Sequence, residues 1–248
     1  MTANTFLKEF RHLADAPDGI KKLRELILQL AVRGKLVPQD PTDEPASKLL
    51  KKITAEKAKL VKEGKIKPQK PLPPISKDEM PYKLPDGWEW VRLGCLGGWG
   101  AGATPNRKNN SYYGGKMPWL KSGELNDNEK LTVAEEYVTE LALRECSLKV
   151  NKPGDILIAM YGATIGKTAI LDMTATTNQA ICACTCYGGI FNRFLFLVLK
   201  AYRSNFSGQG VGGAQPNISK IKIVYTPAVL PPLAEQRRIV AKVDQLMK

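Results

Sequence analysis

Residues 159–171 read AMYGATIGKTAIL, and their glycines, lysine and threonines are residue types that cradle phosphate. A phosphate-binding loop of the ATPase kind needs Gly, four residues, then Gly-Lys-Ser/Thr, because the loop must be long enough to wrap the phosphates with its backbone N–H groups. Only Ala163, Thr164 and Ile165 stand between Gly162 and Gly166, one residue too few. Such a loop also opens a helix, whereas Thr168 to Leu171 reads as strand, and no acidic residue follows on a hydrophobic strand to hold Mg2+. A nucleotide-binding protein built on Gly162 to Thr168 is therefore the enzymatic alternative and not the leading reading.

A hairpin suits the same residues better. Strand DILIAMY, a glycine-rich turn carrying Thr164 and Lys167, and strand TAIL make a flexible basic tip able to approach a phosphate backbone or a groove closely. Tyr161, beside Gly162, is a candidate stacking or wedge group; a plain surface hairpin is the competing reading.

Upstream, Gly98-x-Gly100-x-Gly102 lacks the following helix that a dinucleotide fingerprint requires, since Thr104-Pro105 does not continue as one. It reads as a loop. Arg107, Lys108, Asn109, Asn110, Tyr112 and Tyr113, then Lys121, Ser122, Gly123 and Glu124, set hydrogen-bonding groups beside aromatics between glycines. That is the composition of a nucleic-acid-reading surface, with Trp119 expected in the core. Asn178, Gln179, Gln209, Gln215 and Asn217 suit adenine edges, and asparagine equally starts turns.

Catalytic constellations are missing. PLPP and LPPL lack the polar leader and the aromatic of the amino-methyltransferase motif Asn/Asp-Pro-Pro-aromatic, and Glu63-Gly64-Lys65 follows no suitably spaced Pro-Asp pair of a nuclease. A single histidine, His12, leaves few routes to acid/base work near neutral pH. Cys182, Cys184 and Cys186 alternate along one strand face, whereas zinc prefers ligand pairs bent around a turn, so they read as small buried apolar residues. Five cysteines, odd in number and crowded, fit free thiols in a reducing compartment.

These residues must be positioned by elements that the pattern also suggests. GIKKLRELILQLAVRGKL places Leu23, Leu26, Ile27, Leu30 and Ala31 at helical spacing before Gly34, and DEPASKLLKKITAEKAKLVKEG places Leu49, Leu50, Ile53 and Leu60 before Gly64. Residues 1–64 form an N-terminal helical region, and 65–85, rich in proline and lysine, a moderately stiff basic linker. From 86 to 230, short β-rich runs (GWEWVRLG, GDILIAM, KTAIL, QAICACTCY, KIKIVYTP) and one helix at GIFNRFLFLVLKAYR predict an α+β domain. Residues 231–248 begin a helix whose Ile239, Val243 and Leu246, flanked by Leu233, Val240 and Met247, make a coiled-coil-like seam still running at its last residue.

The net charge of +13 over 248 residues points to a polyanionic partner, nucleic acid being the commonest. It is divided as +7 over residues 1–85, −1 over 86–150, +5 over 151–230 and +2 over 231–248. The surplus thus has two centres, and a solvated basic surface kept for solubility is the competing reading. No window holds about 18 uninterrupted apolar residues and the first 18 residues carry charges, so a cytoplasmic protein with no membrane span is expected.

Several stretches together resemble one family, the specificity (S) subunits of type I restriction-modification systems. They are residues 23–75, LPDGWEWVRLG, GATPNRKNNSYYGGKMPWLKSGEL, GDILIAMYGATIGKTAIL, NQAICAC, GGAQPNISKIKI and LPPLAEQRRIVAKVDQL. The last and the GDIL hairpin are the most specific. The resemblance implies a target recognition domain at 86–230 that reads one half of a bipartite site in double-stranded DNA, with helical regions acting as spacers that dock the modification (methyltransferase) subunits. It implies no catalysis and no cofactor in this chain. S-adenosylmethionine, ATP and Mg2+ would belong to partner subunits, and the restriction subunit would be engaged indirectly. A full S subunit resembles two recognition domains with two long spacers, so this chain is expected to be a fragment or a half-subunit pairing with a copy of itself through the C-terminal helix. The positions carried over are Lys121, Ser122, Gly123, Tyr161, Gly162, Thr164, Lys167, Asn178 and Gln179. A purely structural assembly scaffold is the remaining alternative.

Overall fold

The N-terminal helices form where apolar spacing places them. In the computed structural model, which describes residues 16–208 and 217–247, α1 spans Gly19–Val32 and α2 spans Ala46–Lys62. Both stop at the expected glycines. Gly34 and Gly64 take φ of +67° and +69°, and the next residue's N–H turns back to Leu30 O and Leu60 O, each at 2.9 Å. Helix α1 buries Ile27, Leu28, Ala31 and Val32, but Leu26, read as part of its apolar face, is 53% exposed. The stripe is rotated because the neighbours of α1, named below, lie to one side of it.

The proline-rich stretch is tied down at a single buried guanidinium. Arg92 donates to Pro73 O (3.1 Å), Pro74 O (2.8 Å) and Tyr225 O (2.6 Å), and pairs with both carboxylate oxygens of Glu79 (2.6 and 2.8 Å). Prolines donate nothing from the backbone, but their carbonyls accept, and Arg92 collects two of them. The Arg92 guanidinium and the Ser76 N–H hold the Glu79 carboxyl down to about 2.

The rest is α+β. Strand β1 (Glu89–Arg92) pairs antiparallel with β10 (Pro227–Leu230), so the two ends of the sheet region meet. A five-stranded sheet runs in the order β2-β9-β6-β7-β4, with β2 at Gly97–Ala101, β4 at Asn128–Leu131, β6 at Ile156–Ala159, β7 at Thr168–Leu171 and β9 at Ile181–Cys186. All neighbours are antiparallel except β4 and β7. A third sheet sets β3 (Tyr113–Leu120) between β5 (Glu136–Val138) and the short parallel β8 (Thr176–Thr177).

Helices α3 (Glu140–Glu145), α4 (Asn192–Ala201), α5 (Arg203–Gly208), α6 (Lys220–Tyr225) and α7 (Leu233–Met247) complete the described residues. Only α4 lies where the sequence predicted a helix within the recognition region. KIKIVYTP, read as strand, is α6 followed by β10. The Ser219 hydroxyl accepts from Lys222 N at 3.2 Å, an N-cap that starts a helix, and only Ile223 is buried while Ile221 and Tyr225 are exposed. The alternation that suggested a strand therefore has no buried face to serve.

The main core is lined by α1, α2, α4, α7 and one face of the five-stranded sheet. Cys182 and Cys184 are fully buried in it, as small apolar residues of β9, and burial pushes the Cys182 thiol up to about 12. The seam of α7 closes on this same core: Ile239, Val240 and Val243 are buried against the chain's own α1 and α4, leaving Leu246 45% exposed. Each fully buried aliphatic side chain contributes about 1.5–3 kcal/mol. Among the described residues no helix is long and apolar enough to cross a membrane.

Candidate nucleic-acid interface

The hairpin of residues 156–171 is present with its strands in the expected sense. Leu157 faces Ala169 and Ile158 faces Thr168. Between them Gly162–Thr164 makes one 3-10 turn, with Gly162 at φ +60° and Gly166 at φ +78°. Ile165 N donates to Gly162 O (3.2 Å), Gly166 N to Ala159 O (3.0 Å) and Lys167 N to Thr164 O (2.9 Å). These amides are spent within the turn and the chain continues as β7. The loop therefore lacks the helix start that nucleotide phosphates require, and three of its amides are already engaged.

Its polar side chains face outward onto neighbours. Lys167 Nζ donates to Asn126 Oδ1 at 3.1 Å, and the Thr164 hydroxyl to Tyr161 O at 2.8 Å. Tyr161 is 39% exposed and is bridged antiparallel to Asn217. The tip end of β7 is clamped by Asp127, a non-glycine residue at φ +59°, whose carboxylate accepts from Thr168 N (3.1 Å), Thr168 Oγ1 (3.2 Å) and Arg203. Arg203 Nε also donates to Gly166 O at 3.2 Å. Asn126, Asp127 and Arg203 escaped the sequence reading: a left-handed aspartate and a helix-borne arginine have no local signature.

Backbone hydrogen bonds gather the other candidates beside this tip. Met160 N donates to Ala180 O (2.8 Å), Asn178 N to Leu120 O (2.9 Å) and Ala103 N to Thr177 O (3.0 Å). The stretches that contain Tyr161 and Gly162, Lys121 to Gly123, and Asn178 with Gln179 are thereby neighbours, although up to 58 residues apart in sequence. Gly102 makes the approach possible, since a Cβ there would sit 2.1 Å from Thr177 O. The Thr104 hydroxyl donates to Gln179 Oε1, and Asn178 Oδ1 accepts from Ala180 N at 3.1 Å. Asn178 is thus a turn former in this state, and Gln179 is the exposed amide of the pair.

Charge is handled differently on the two sides. Arg107 lies over the rings of Tyr113 (4.7 Å) and Trp119 (4.6 Å) and pairs with Glu136 at 2.6 Å. Lys121 reaches Glu135 (2.9 Å) and the same Glu136 (3.0 Å). The two cations hold the Glu136 carboxyl below its usual range, Arg107 foremost. Such half-exposed pairs are worth about 0–1 kcal/mol, so a phosphate can displace the carboxylate. Trp119 is buried, with its indole N–H on Ala103 O at 3.0 Å, a core residue as expected. Tyr112 is drawn instead to Glu145 (2.9 Å), and Lys108 is exposed. Ser122 and Gly123 form the 3-10 turn after Lys121, and nothing lies within 4 Å of a Cβ at Gly123. Gln209 and Gln215 lie outside the described residues, as does His12.

The architecture is thus an α+β domain carried on helices, with an amide- and lysine-bearing loop cluster at one sheet end. The family model described as type I restriction modification DNA specificity domain matches residues 85–248, and the chain belongs to that family. It is 36% identical to the EcoAI specificity subunit of Escherichia coli over 97% of this chain and 42% of that protein. It is also 36% identical to the EcoEI specificity subunit of the same species, over 93% and 41% respectively. The chain thus spans less than half the length of these relatives. Among solved structures it shares its fold with the HsdS subunit of Thermoanaerobacter tengcongensis, at a TM-score of 0.55 and 21% identity, over 98% of this chain and 50% of that one.

Proposed function

We propose that this chain is a DNA-recognition unit of a type I restriction-modification complex, reading one half of a bipartite site in double-stranded DNA. The observation that carries the reading is the convergence of Lys121 to Gly123, Tyr161 to Lys167 and Asn178 with Gln179 at one sheet end, in a chain of this family. Lys167, Lys121 and Arg107 would hold phosphates and fix the register, while Gln179 and Tyr161 would meet base edges. The chain would itself catalyse nothing and bind no cofactor. Modification subunits would dock on its helices and supply methylation with S-adenosylmethionine; the restriction subunit, engaged through them, would use ATP and Mg2+. A second copy would pair through the exposed end of α7 at Leu246, and the complex would work in the cytoplasm.

The test is fluorescence anisotropy with methylated, unmethylated and random duplexes in the presence of the modification subunits. Binding is expected to depend on sequence and to weaken as salt rises. Equal affinity for every duplex in that setting rules the reading out.

A further inference from the structure

The stretch LPPLAEQRRIV lies at the start of α7, away from the loop cluster, and nearly every polar side chain in it is engaged with another part of the chain. Glu235 is 1% exposed. Its Oε2 accepts from the indole N–H of Trp88 at 2.9 Å and its Oε1 from Gln39 Nε2 at 3.0 Å. Gln236 is fully buried, accepting from Phe191 N at 2.8 Å and donating to Pro231 O at 3.1 Å. Arg238 pairs with Asp43, with Nη2 2.5 Å from Oδ2 and Nη1 3.2 Å from Oδ1. Two turns further on, Asp244 takes a bidentate pair from Arg193 on α4, at 2.8 and 2.9 Å.

A buried carboxylate is costly unless it is well paired, and an apolar residue would fill the same space at less cost. What the carboxylate adds is direction. Its two oxygens point to two chain segments, and Gln236 and Arg238 add ties to the turn before α4 and to the segment before α2. Ties that diverge in this way from a single helical turn fix both its tilt and its rotation. The consequence grows with distance: a tilt of about 10° moves an axis by about 5 Å over a lever arm of about 30 Å, the length of a 20-residue helix. One base pair occupies about 3.4 Å.

We propose that the first turn of α7 is a rigid elbow, with Glu235 as its positioning residue, that fixes the direction in which the helix leaves the recognition domain and so selects the separation between the halves of the DNA site. This rests on the recognition reading above. It assigns to Glu235, Trp88 and Arg238 an effect on spacing and none on the bases read.

The experiment uses the complete complex with modification subunits. Its ligands are duplexes carrying the mapped target with its halves at the native separation or moved by one base pair either way. The unaltered complex is expected to prefer the native separation. Glu235→Ala should lower that preference about tenfold, by leaving the buried Trp88 indole N–H without an acceptor. Glu235→Gln, whose amide oxygen still accepts from Trp88, should keep most of it. Because Glu235→Ala can loosen the fold, Arg238→Lys serves as a second variant: it keeps a positive charge beside the nearly buried Asp43 carboxylate but loses the two-point tie, and should lower the preference about threefold with little change in thermal midpoint. Base preference within each half should stay as it was in all three variants. An unchanged separation preference in Glu235→Ala and Arg238→Lys overturns the elbow and leaves recognition standing. Indifference of the unaltered complex to base sequence overturns the recognition reading and the elbow with it.

Discussion

The ammonium of Lys167 stands 3.1 Å from the amide oxygen of Asn126, so the lysine at the tip of the β6–β7 hairpin is oriented by a neutral partner. A neutral amide aims the charge without cancelling it, which leaves its full Coulomb attraction for a phosphate. Lys167→Ala is accordingly expected to weaken binding by a similar factor for every duplex and to reduce the slope of log K against log salt by about one. A salt titration by anisotropy measures both.

Glu136 has the opposite relation to its cations, since it is shared by Arg107 and Lys121. Glu136→Gln should release both and strengthen DNA binding by a factor of a few, on the order of 1 kcal/mol or less, given the weakness of exposed pairs. The gain should vanish in about 0.5 M salt, where screening shortens the range of each charge. Side-by-side isotherms at low and high salt check it.

Gly102 is where two loops touch through backbone. Gly102→Ala places a Cβ against Thr177 O and Asn178 O, neither of which can swing away as a side-chain end could. The expected cost is about 1–3 kcal/mol, read as a fall in thermal midpoint of several degrees. Base preference should suffer with it, because the same contact sets the distance between the Thr104 loop and Gln179.

The Arg92–Glu79 pair makes the proline-rich segment sensitive to acid. The Glu79 carboxyl is lowered from 4.5 to about 2 in the folded chain, so its contribution is complete above pH 4.5 and is lost as pH falls toward 2. Glu79→Gln should lower stability at neutral pH and flatten its fall between those values. Denaturant midpoints taken across that range at constant ionic strength test the sign.

Much of the architecture was legible because it rests on local chemistry. The stops of α1 and α2 were readable from Gly34 and Gly64, since left-handed backbone favours glycine. The hairpin was readable from strand, glycine turn and strand in series, and the failure of a nucleotide loop from one missing residue. Where period and capping disagreed, at Lys220–Tyr225, the alternation misled because Ser219 started a helix first. The seam of α7 was visible as apolar spacing, yet spacing cannot say what covers it, and its own chain does.

By itself the sequence determined which segments turn, which run as strand or helix, and which residue types a polyanion would meet, because propensity, capping and glycine freedom act within a few residues. Only the tertiary structure decided that Tyr161, Lys121 and Gln179 share one sheet end, that Asp127 and Arg203 hold the hairpin, and that Glu235 reaches Trp88 across 147 residues. Those relations depend on strand order and on burial energies summed over the whole core, and no short stretch of chain contains either.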